Sequence, residues 1–526
     1  MKNKFLALVL TSLLTGCTLG FKITNNNLSS NVNSNSTQNN NVISTSPNTS
    51  SSYENSSTST SSTTSSSSTS EDNSSSSSTS SSTSSSSTST SSSTSSSSSI
   101  KHEDTLPEFD TSKQVTITFW HTMNKGYQSI LDEIIADFNK TEFGKNITVL
   151  HEQIGGYDDV RDYIITNIPV NSTPNLAYCY PDHVALYKDA RAVEKLDTYI
   201  NDSRYGFSQE QIDSFVPGFY NEGKSFGDEK MYLLPFVRST EVLYYNKTEF
   251  DKNGYQVPKT WDEMWTLCKK IKENNPNSIP LGYDSESNWF ITNAEQNGYT
   301  YTTTDNSHGA AGHFLFNVKG NRDFVSDLKV KYDQGLFTTS SMYGAYTSGS
   351  LTASYNASLM SIGSTGGAQY NYSSRFETGI ASVPQTKNGA KEAVISQGPS
   401  ICMFDKGNSQ EEIASWLFLK YLTTNIDAQT KFAKVSGYIP VSTTAQQEAS
   451  YKAYLDAAEG TSKEGVIALA SKVAVEQSDM YFATPSFVGS SQVRDEVGNI
   501  IVNVLSGTEV TKAFSDAIQE CIEAVS

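Results

Sequence analysis

Hydrophobic and polar positions alternate with two different periods after residue 113. Residues Val115–Trp120 alternate as a strand does, whereas Ile130, Ile134, Ile135 and Phe138 recur at helical spacing. Three further segments extend this order, with a strand predicted at 147–150, a helix at 158–167 and a strand at 176–180 after the break at Pro174. Alternating strands and helices predict parallel strands joined by right-handed crossovers.

The carboxyl ends of these strands are candidates for a ligand rim. Ligands of open α/β sheets bind beyond that edge of the sheet. The three predicted ends are Trp120-His121-Thr122, Gly155-Gly156-Tyr157 and Tyr180-Pro181-Asp182. They are short, polar and aromatic, as a ligand rim requires.

The segment from residue 113 to 526 is long enough for two α/β lobes, each with its own core. No second apolar segment approaches the roughly 20 residues of a membrane span. The formal net charge of the chain is -18 and its pI is about 4.8. This acidity argues against nucleic acid or an anionic membrane surface as a general partner.

A segment of Ser, Thr and Asn occupies most of residues 25–100. It has no apolar pattern to bury, so it predicts a disordered tether, which we extend over residues 17–112. A flexible coil of that length reaches on the order of 50 Å. An adhesive or glycosylated stalk is the alternative interpretation.

The amino terminus has the features of an export signal. Lys2 and Lys4 precede the short apolar run Phe5–Leu14, and Leu14-Thr15-Gly16-Cys17 follows the pattern of a bacterial lipoprotein signal, which this box resembles. The resemblance implies removal of residues 1–16 and acylation of Cys17. Two or three acyl chains give stable membrane retention. An ordinary secretory peptide with a chance cysteine is the alternative.

The other four cysteines lie far apart, each in an apolar context: Cys179, Cys268, Cys402 and Cys521. No CxxC pair or metal-ligand spacing occurs among them, so they are predicted to be buried small hydrophobes. An oxidising exterior would permit one pair to form a disulfide.

Several short motifs follow one another in a fixed order from residue 113 to the end. Together they resemble family 1 of the extracellular solute-binding proteins, which serve carbohydrate ABC importers. The motifs are Trp120-His121, Leu234-Pro235-Phe236 with Ser239-Thr240 and 242–247, Pro258–Glu263, Met360–Thr365, Gln397–Ser400, the helix around Trp416, Ser436–Pro440, and a final helix Val497–Leu505 before Ser506-Gly507. No single motif is specific, and the order carries the resemblance.

Within that family, the sequence most resembles the branch that binds sn-glycerol 3-phosphate and its diesters. The matching pieces are Phe119–Met123, the run from Pro235 to Tyr245, and Gln492-Val493-Arg494. The resemblance implies ligand contacts at Tyr157, Asp182, Ser239, Ser364, Gly398 and Tyr438, and a phosphate-pairing role for Arg494. The sequence departs from the branch at Pro181, where the branch has a carboxylate, and at Arg238, where it has a serine.

Aromatic residues near the predicted rim are candidates for stacking on a sugar. A sugar packs its C–H surface on an aromatic ring, while Ser, Tyr and Asp bond its hydroxyls. We assign stacking roles to Trp120, Tyr157, Trp289 and Tyr438, although an unplaced tryptophan is more often a core residue. Three other tryptophans at helical positions are predicted to be structural: Trp261, Trp265 and Trp416.

Arg238 and Arg494 are the candidates for pairing with an anion, because the guanidinium group offers paired donors and stays charged. For Arg494 a ligand role and a salt bridge are equally open, and for Arg238 a salt bridge or hinge contact is preferred. The stretch Gly363–Gly367 could present backbone amides to an anion, or it could be a plain turn. It lacks the lysine and spacing of a nucleotide-binding loop.

Signatures of catalysis are missing from the sequence. It contains no HExxH or GxSxG motif, and His308 and His313 lack metal-site spacing. The pairs Asp158-Asp159 and Glu411-Glu412 are interpreted as helix starts. A glycan-cleaving lipoprotein with two distant carboxylates, and a surface adhesin, stay open as alternatives.

The favoured prediction is a lipid-anchored, monomeric receptor of an ABC importer without metal or other cofactor. By resemblance, residues 113–238 with 396–440 form one Rossmann-like lobe, and residues 239–395 with 441–526 form the other. A ligand in the cleft between them would favour a closed form that the membrane permease subunits recognise. A neutral sugar is preferred over a glycerol phosphate as the ligand.

Overall fold

The structure is a computed structural model that describes residues 106–525 with the exception of 306, 308 and 354–356. The signal, Cys17, His308 and most of the predicted tether lie outside the described residues. The strands are β1 Val115–His121, β2 Ile147–Gln153, β3 Leu176–Cys179, β4 Leu233–Pro235, β5 Val237–Asn246, β6 Leu281–Tyr283, β7 Phe337–Thr339, β8 Met360–Ser364, β9 Thr378–Ser382, β10 Val394–Gln397, β11 Ser400–Met403, β12 Ile439–Pro440 and β13 Tyr481–Phe482.

The described helices surround these strands. They are α1 Lys125–Phe138, α2 Tyr157–Asn167, α3 Pro181–Asp189, α4 Asp197–Ile200, α5 Gln209–Ser214, α6 Pro217–Glu222, α7 Lys247–Asn253, α8 Trp261–Asn274, α9 Glu286–Asn297, α10 Lys319–Asp333, α11 Ser340–Tyr343, α12 Ser348–Leu351, α13 Ser409–Thr424, α14 Ile426–Ser436, α15 Thr443–Gln446, α16 Ala449–Asp456, α17 Lys463–Glu476, α18 Ser490–Leu505 and α19 Val510–Ala524. Short 3₁₀ turns connect several of them. No helix in the described part of the chain is long and apolar enough to cross a membrane.

The first sheet has the strand order β2-β1-β3-β11-β4. Strand β1 pairs in parallel with β2 and β3, as the alternation predicted, and β11 returns antiparallel between β3 and β4. Ile117, Phe119 and His121 alternate on one buried face of β1. Helix α1 begins at the Asn124 cap and packs Leu131, Ile134 and Phe138 into the core, close to the predicted face.

The second sheet is built around the long strand β5, nearly all of whose positions are buried. Its order is β13-β10-β5-β8-β6-β7, and β9 and β12 also pair with β5. The four strands that contact β5 run antiparallel to it, whereas β6 is parallel to β7 and β8. Two helix-flanked sheets agree with the predicted two-lobe α/β class. The predicted lobe boundaries stay a prediction.

Several smaller expectations can be compared directly with the structure. The predicted final helix begins earlier, at Ser490, and it is not the last, because α19 follows it. The four described cysteines are buried and free of disulfides, which confirms their prediction as small hydrophobes. Trp416 is fully buried and its Nε1 donates to the Tyr205 carbonyl at 2.9 Å, so it is structural as predicted. Asp159 and Glu412 lie in first helical turns, as expected.

Candidate functional site

Two neighbouring chain segments carry the backbone from one sheet to the other. Phe236 connects β4 with β5, Gly398 and Pro399 connect β10 with β11, and the Phe236 N–H donates to the Pro399 carbonyl at 3.2 Å. Gly398 has a φ of 104°, a conformation that favours glycine. A Cβ at this position would also lie 2.9 Å from the Val237 carbonyl oxygen. The close pairing of the two crossings therefore depends on this glycine.

Arg238 is fully buried at the same crossing. Its Nη1 donates to the Gly398 carbonyl at 2.7 Å, and its Nη2 donates to Ser400 Oγ at 3.0 Å and to the Glu222 carboxylate. Burial lowers the pKa of Arg238 to about 10, so the guanidinium stays charged near neutral pH. The ion pair preferred for Arg238 is present, and the structure places it at the crossing between the two sheets.

Three tyrosines lie close together near the end of β3, and two of them, Tyr180 and Tyr438, line the site. Tyr180 follows β3, Tyr157 begins α2, and their ring centroids are 4.5 Å apart. Tyr438 precedes β12 and comes close to Gly398, whose Cβ position would lie 3.1 Å from the Tyr438 ring. Burial, and then the neighbouring phenol of Tyr180, raise the pKa of both Tyr157 and Tyr438. These neutral hydroxyls can donate and accept hydrogen bonds.

A buried carboxylate organises the opposite wall. Glu241 on β5 accepts hydrogen bonds from the Tyr283 hydroxyl at 2.5 Å and from Asn288 Nδ2 at 2.8 Å. Arg494 Nη2 donates to Asn288 Oδ1 and so fixes the orientation of that amide. Burial raises the pKa of Glu241 to about 7, although the two bonds and the Arg494 charge act in the opposite direction. This carboxyl group therefore holds its proton more strongly than a solvated glutamic acid does.

A cavity of about 610 Å³ lies between these walls. Tyr180 and Tyr438 line it from one side, and Glu241, Asp284 and Asn288 line it from the other. The Asp284 carboxylate accepts bonds from the Thr347 N–H at 2.6 Å and from Thr347 Oγ1 at 2.8 Å. Burial raises the pKa of Asp284. Hydroxyl, amide and carboxylate groups thus surround one space of ligand size.

Two exposed tyrosines stand at the mouth of this cavity. Tyr346 is 75% exposed and Tyr370 is 67% exposed, although both line the cavity. Tyr370 lies close enough to Tyr127 of α1 to raise the pKa of Tyr127, whose main cause is burial. Large exposed aromatic rings at a cavity mouth are available to pack against a ligand.

A smaller cavity of about 120 Å³ adjoins the first one, because Tyr180 and Gln397 line both. Asp182, Glu222 and Arg494 also line it. Asp182 Oδ2 accepts from Ser491 Oγ at 2.9 Å, which joins the start of α3 to the start of α18. This smaller cavity holds the only cation, Arg494, among the described residues that line either space.

The structure brings most of the predicted ligand residues together. Ser239, Ser364 and Tyr438 line the larger cavity, and Asp182 and Arg494 line the smaller one. Their contact with a ligand stays a prediction. Tyr157 and Gly398 lie directly behind Tyr180 and Tyr438 and line neither cavity.

The two tryptophans assigned to stacking in the cleft do not line it. Trp120 projects from the other face of β1 and packs on Tyr163, with ring centroids 5.0 Å apart. Trp289 is 1% exposed, and its ring stacks on Tyr283 at 4.4 Å and on Trp261 at 5.4 Å. Trp289 is therefore a core residue and not a stacking residue of the cleft, and the half-buried Trp120 lines neither cavity.

Sequence reasoning missed the residues of the second wall. Glu241 was detectable, since it is the one carboxylate in the otherwise buried run of β5, and buried carboxylates are rare without a partner or a function. Asp284, Asn288, Tyr346 and Tyr370 carry no comparable local signal, because long-range contacts place them. Gly366 and Gly367 do line the larger cavity, where Ser364 Oγ accepts from the Gly366 N–H at 3.2 Å.

A group of three carboxylates could hold a metal ion, and it lies elsewhere. It consists of Glu194, Asp405 and Glu412, which line neither cavity of the cleft. Glu412 Oε1 accepts from the N–H groups of Lys406 and Asn408, both at 3.2 Å, at the start of α13. Burial, and then the neighbouring carboxylates, raise the pKa of Glu194 to about 7. One of the three carboxylates, Glu412, thus accepts hydrogen bonds from backbone N–H groups that precede α13.

Residues 133–459 match the family described as bacterial extracellular solute-binding protein. The chain belongs to this family. One relative of this solute-binding protein, from Agrobacterium fabrum, is named sn-glycerol-3-phosphate-binding periplasmic protein UgpB. It is 24% identical over 420 residues, which cover 77% of the present chain and 91% of the relative. The family resemblance of the ordered motifs is confirmed.

Solved structures confirm the two-lobe α/β fold of this solute-binding protein. UgpB from Mycobacterium tuberculosis in complex with glycerophosphocholine aligns with a TM-score of 0.62 at 17% identity, covering 78% of the present chain and 98% of that one. The substrate-binding protein Lmo0181 from Listeria monocytogenes in complex with cycloalternan aligns with a TM-score of 0.62 at 18% identity, covering 78% and 99%.

Proposed function

We propose that this protein is the extracellular receptor of an ABC importer and binds a neutral oligosaccharide between the two sheets. The observation that carries the proposal is the lining of the 610 Å³ cavity. Glu241 and Asp284 supply two carboxylates there, four tyrosines supply rings and hydroxyls, and none of the described lining residues is Lys, Arg or His.

The chemistry of that lining favours a neutral polyol over an anion. Sugar hydroxyls donate to carboxylates and accept from amide and phenol groups, while tyrosine rings pack on the C–H faces of the sugar. A phosphate in this space would face the acidic side chains of Glu241 and Asp284 and would find no cation among the described lining residues. Maltotriose and cycloalternan are named as ligands of structurally similar proteins, in support of this class.

Glycerol phosphate, as sn-glycerol 3-phosphate or one of its diesters, is the second candidate class, and Arg494 favours it. Its guanidinium lines the smaller cavity, and a phosphate could pair with it there. The names of the relatives support the same class. Against it, Arg494 already bonds Asn288, and Asp182 and Glu222 line the same small space.

Binding between two walls also supplies a mechanism. A ligand that contacts Tyr180 beyond the first sheet and Glu241 on the second gains more contacts in a closed form than in an open one. The difference in affinity shifts the equilibrium toward the closed form, which the permease recognises. The bond from Ser491 to Asp182 is one contact that closure would make or break.

Calorimetry with maltooligosaccharides of increasing length, sn-glycerol 3-phosphate and glycerophosphocholine tests the proposal. We expect an oligosaccharide to bind and to be recovered uncleaved by mass spectrometry. Tyr370→Ala should weaken this binding by about 1–2 kcal/mol, roughly 5- to 30-fold, through lost stacking area. The exposed residue Tyr163 lines neither cavity, and Tyr163→Ala is the matched control.

Arg494→Ala separates the two candidate ligands. It should change oligosaccharide affinity far less than Tyr370→Ala does, whereas a phosphodiester would lose about 2–5 kcal/mol of binding energy. Two results together would overturn the sugar proposal. The protein would bind glycerophosphocholine tightly and lose this binding in Arg494→Ala, and it would show no measurable binding of any oligosaccharide. Cleavage of the saccharide would indicate an enzyme instead of a receptor.

We also infer that Cys17 is acylated and holds the mature protein at the outer face of the cell membrane, with the Ser-rich segment as a spacer. Cys17→Ala should leave unprocessed precursor and abolish incorporation of labelled palmitate. Cys521→Ala is the matched control, because Cys521 is buried in the core and should keep both processing and label. Persistent labelling of Cys17→Ala would contradict the anchor.

A further inference from the structure

A third cavity, of about 310 Å³, lies among helices α8, α9 and α10 on the side of the second sheet. None of its lining residues lines either cavity of the cleft. Three of the five tryptophans of the chain meet here: Trp261, Trp265 and Trp289. The described cleft linings, by contrast, contain tyrosines and no tryptophan. This cavity is therefore chemically and spatially separate from the proposed receptor site.

Two buried donors at this cavity lack an acceptor. Trp289 Nε1 and Asn293 Nδ2 have no hydrogen-bond partner among the described residues, although the side chains are only 1% and 7% exposed. Asn293 Oδ1 accepts from Asn297 Nδ2 at 3.1 Å, which sets the orientation of the Asn293 amide. A buried donor without a partner is costly, so each such group calls for an explanation. A ligand with acceptor oxygens would satisfy both.

Two tryptophan rings lie beside these donors and also stack on Trp289, with centroids 5.4 Å away for Trp261 and 6.3 Å for Trp265, so a ligand packs on the surface that these contacts leave open. Trp261 and Trp265 are half-buried, lie one helical turn apart on α8, and have ring centroids 5.8 Å apart at an interplanar angle of 25°. Rings of this kind bind the C–H faces of sugars. The Lys331 ammonium lies 5.0 Å from the centroid of the Trp265 ring. Lys331 therefore already makes the cation–π contact that a cationic ligand could make with this ring.

The charges around the cavity narrow the class of ligand. Asp262, Asp323 and Asp327 line it with Lys331, and Lys331 pairs with Asp327. Excess carboxylate disfavours an anion, and a cation would leave the two N–H donors without an acceptor. A neutral polyhydroxyl compound matches both kinds of group, because its hydroxyls accept hydrogen bonds from the N–H groups and donate hydrogen bonds to the carboxylates.

We propose that this cavity is a second saccharide-binding site, outside the cleft, that takes one or two sugar rings. Trp261 and Trp265 hold the sugar faces, and Trp289 Nε1 and Asn293 Nδ2 donate to its oxygens. The volume is at the lower end for small-molecule sites, which fits a mono- or disaccharide. The proposal does not depend on which ligand the cleft binds.

Indole N–H resonances of the tryptophan-labelled full-length protein test this site. Glucose, maltose and cellobiose serve as probes, up to about 10 mM, enough to saturate a millimolar site. We expect a saturable shift of the Trp289 N–H resonance with at least one probe. Trp416 is the internal control, since its buried Nε1 already donates to Tyr205 and its resonance should stay in place.

Variants assign the shift to this cavity. Asn293→Leu removes one donor and should weaken probe affinity, measured by the Trp289 shift, by about tenfold or more. It should reduce the stability of the protein far less than the loss of a core residue does. Trp261→Ala should abolish it, and Tyr370→Ala, which affects only the cleft, should leave it intact. A Trp289 resonance that no probe moves would overturn the proposal. A shift that survives Asn293→Leu but disappears in Tyr370→Ala would also overturn it, because the signal would then report the cleft.

Discussion

Replacing Arg238 by methionine should lower the free energy of unfolding by about 3–5 kcal/mol, the typical cost of removing one partner of a buried ion pair. The guanidinium is fully buried and joins Glu222 of α6 to Gly398 and Ser400 at the crossing between the sheets. Without it, the largely buried Glu222 carboxylate loses the guanidinium group that it contacts. Urea unfolding of the purified protein measures the loss.

The double variant Arg238→Met with Glu222→Leu distinguishes a missing charge from a missing contact. Replacing a whole buried pair by apolar groups is often nearly neutral, so the double variant should recover most of the loss. Lys512→Met is the surface control, because the pair of Lys512 with Asp516 is more than half exposed and should contribute under about 0.5 kcal/mol. A loss for Arg238→Met no larger than for this control would refute the assigned role.

Trp289→Ala should cost about 3–5 kcal/mol of stability, as expected for deleting a large buried aromatic ring. The ring stacks on Tyr283 at an interplanar angle of 8°, and Phe337 meets its edge at 5.1 Å and 82°. Urea unfolding checks this value, with the half-buried Trp120→Ala as the comparison, which should cost less. Equal stability of Trp289→Ala and the unmodified protein would contradict the packing described here.

The elements near the start of the described chain were predictable because their signals are local. Strand β1 and helix α1 each bury one face, so hydrophobic residues recur in the sequence with the period of that element. The second sheet has no such signature. Its central strand β5 is buried on both faces, and its partners come from remote segments, so only the chain length and the resemblance to a family indicated a second lobe.

The candidate site shows the same limit at the level of single residues. Arg238 and Arg494 look equivalent in the sequence, yet Arg238 is enclosed by Glu222 and Ser400, whereas Arg494 lines a cavity. Trp289 has polar neighbours in sequence, but these project from other faces of α9: Asn288 turns to Glu241, and Trp289 turns to the aromatic cluster. Which face a helix presents is decided by the partner it packs on, and that partner is distant in sequence.

The return of β11 into the first sheet has a consequence for how the chain acquires its structure. Cys179 of β3 lies opposite Ser400 of β11 in the antiparallel strand pair, and the two residues are 221 positions apart in the chain. The first sheet therefore lacks an inner strand until most of the chain has been synthesised and delivered across the membrane. Contacts so far apart slow folding, because the entropy of closing a long loop is lost before the contacts form. We expect the newly made chain to stay unfolded long enough for export as an extended polypeptide and to fold only on the far side.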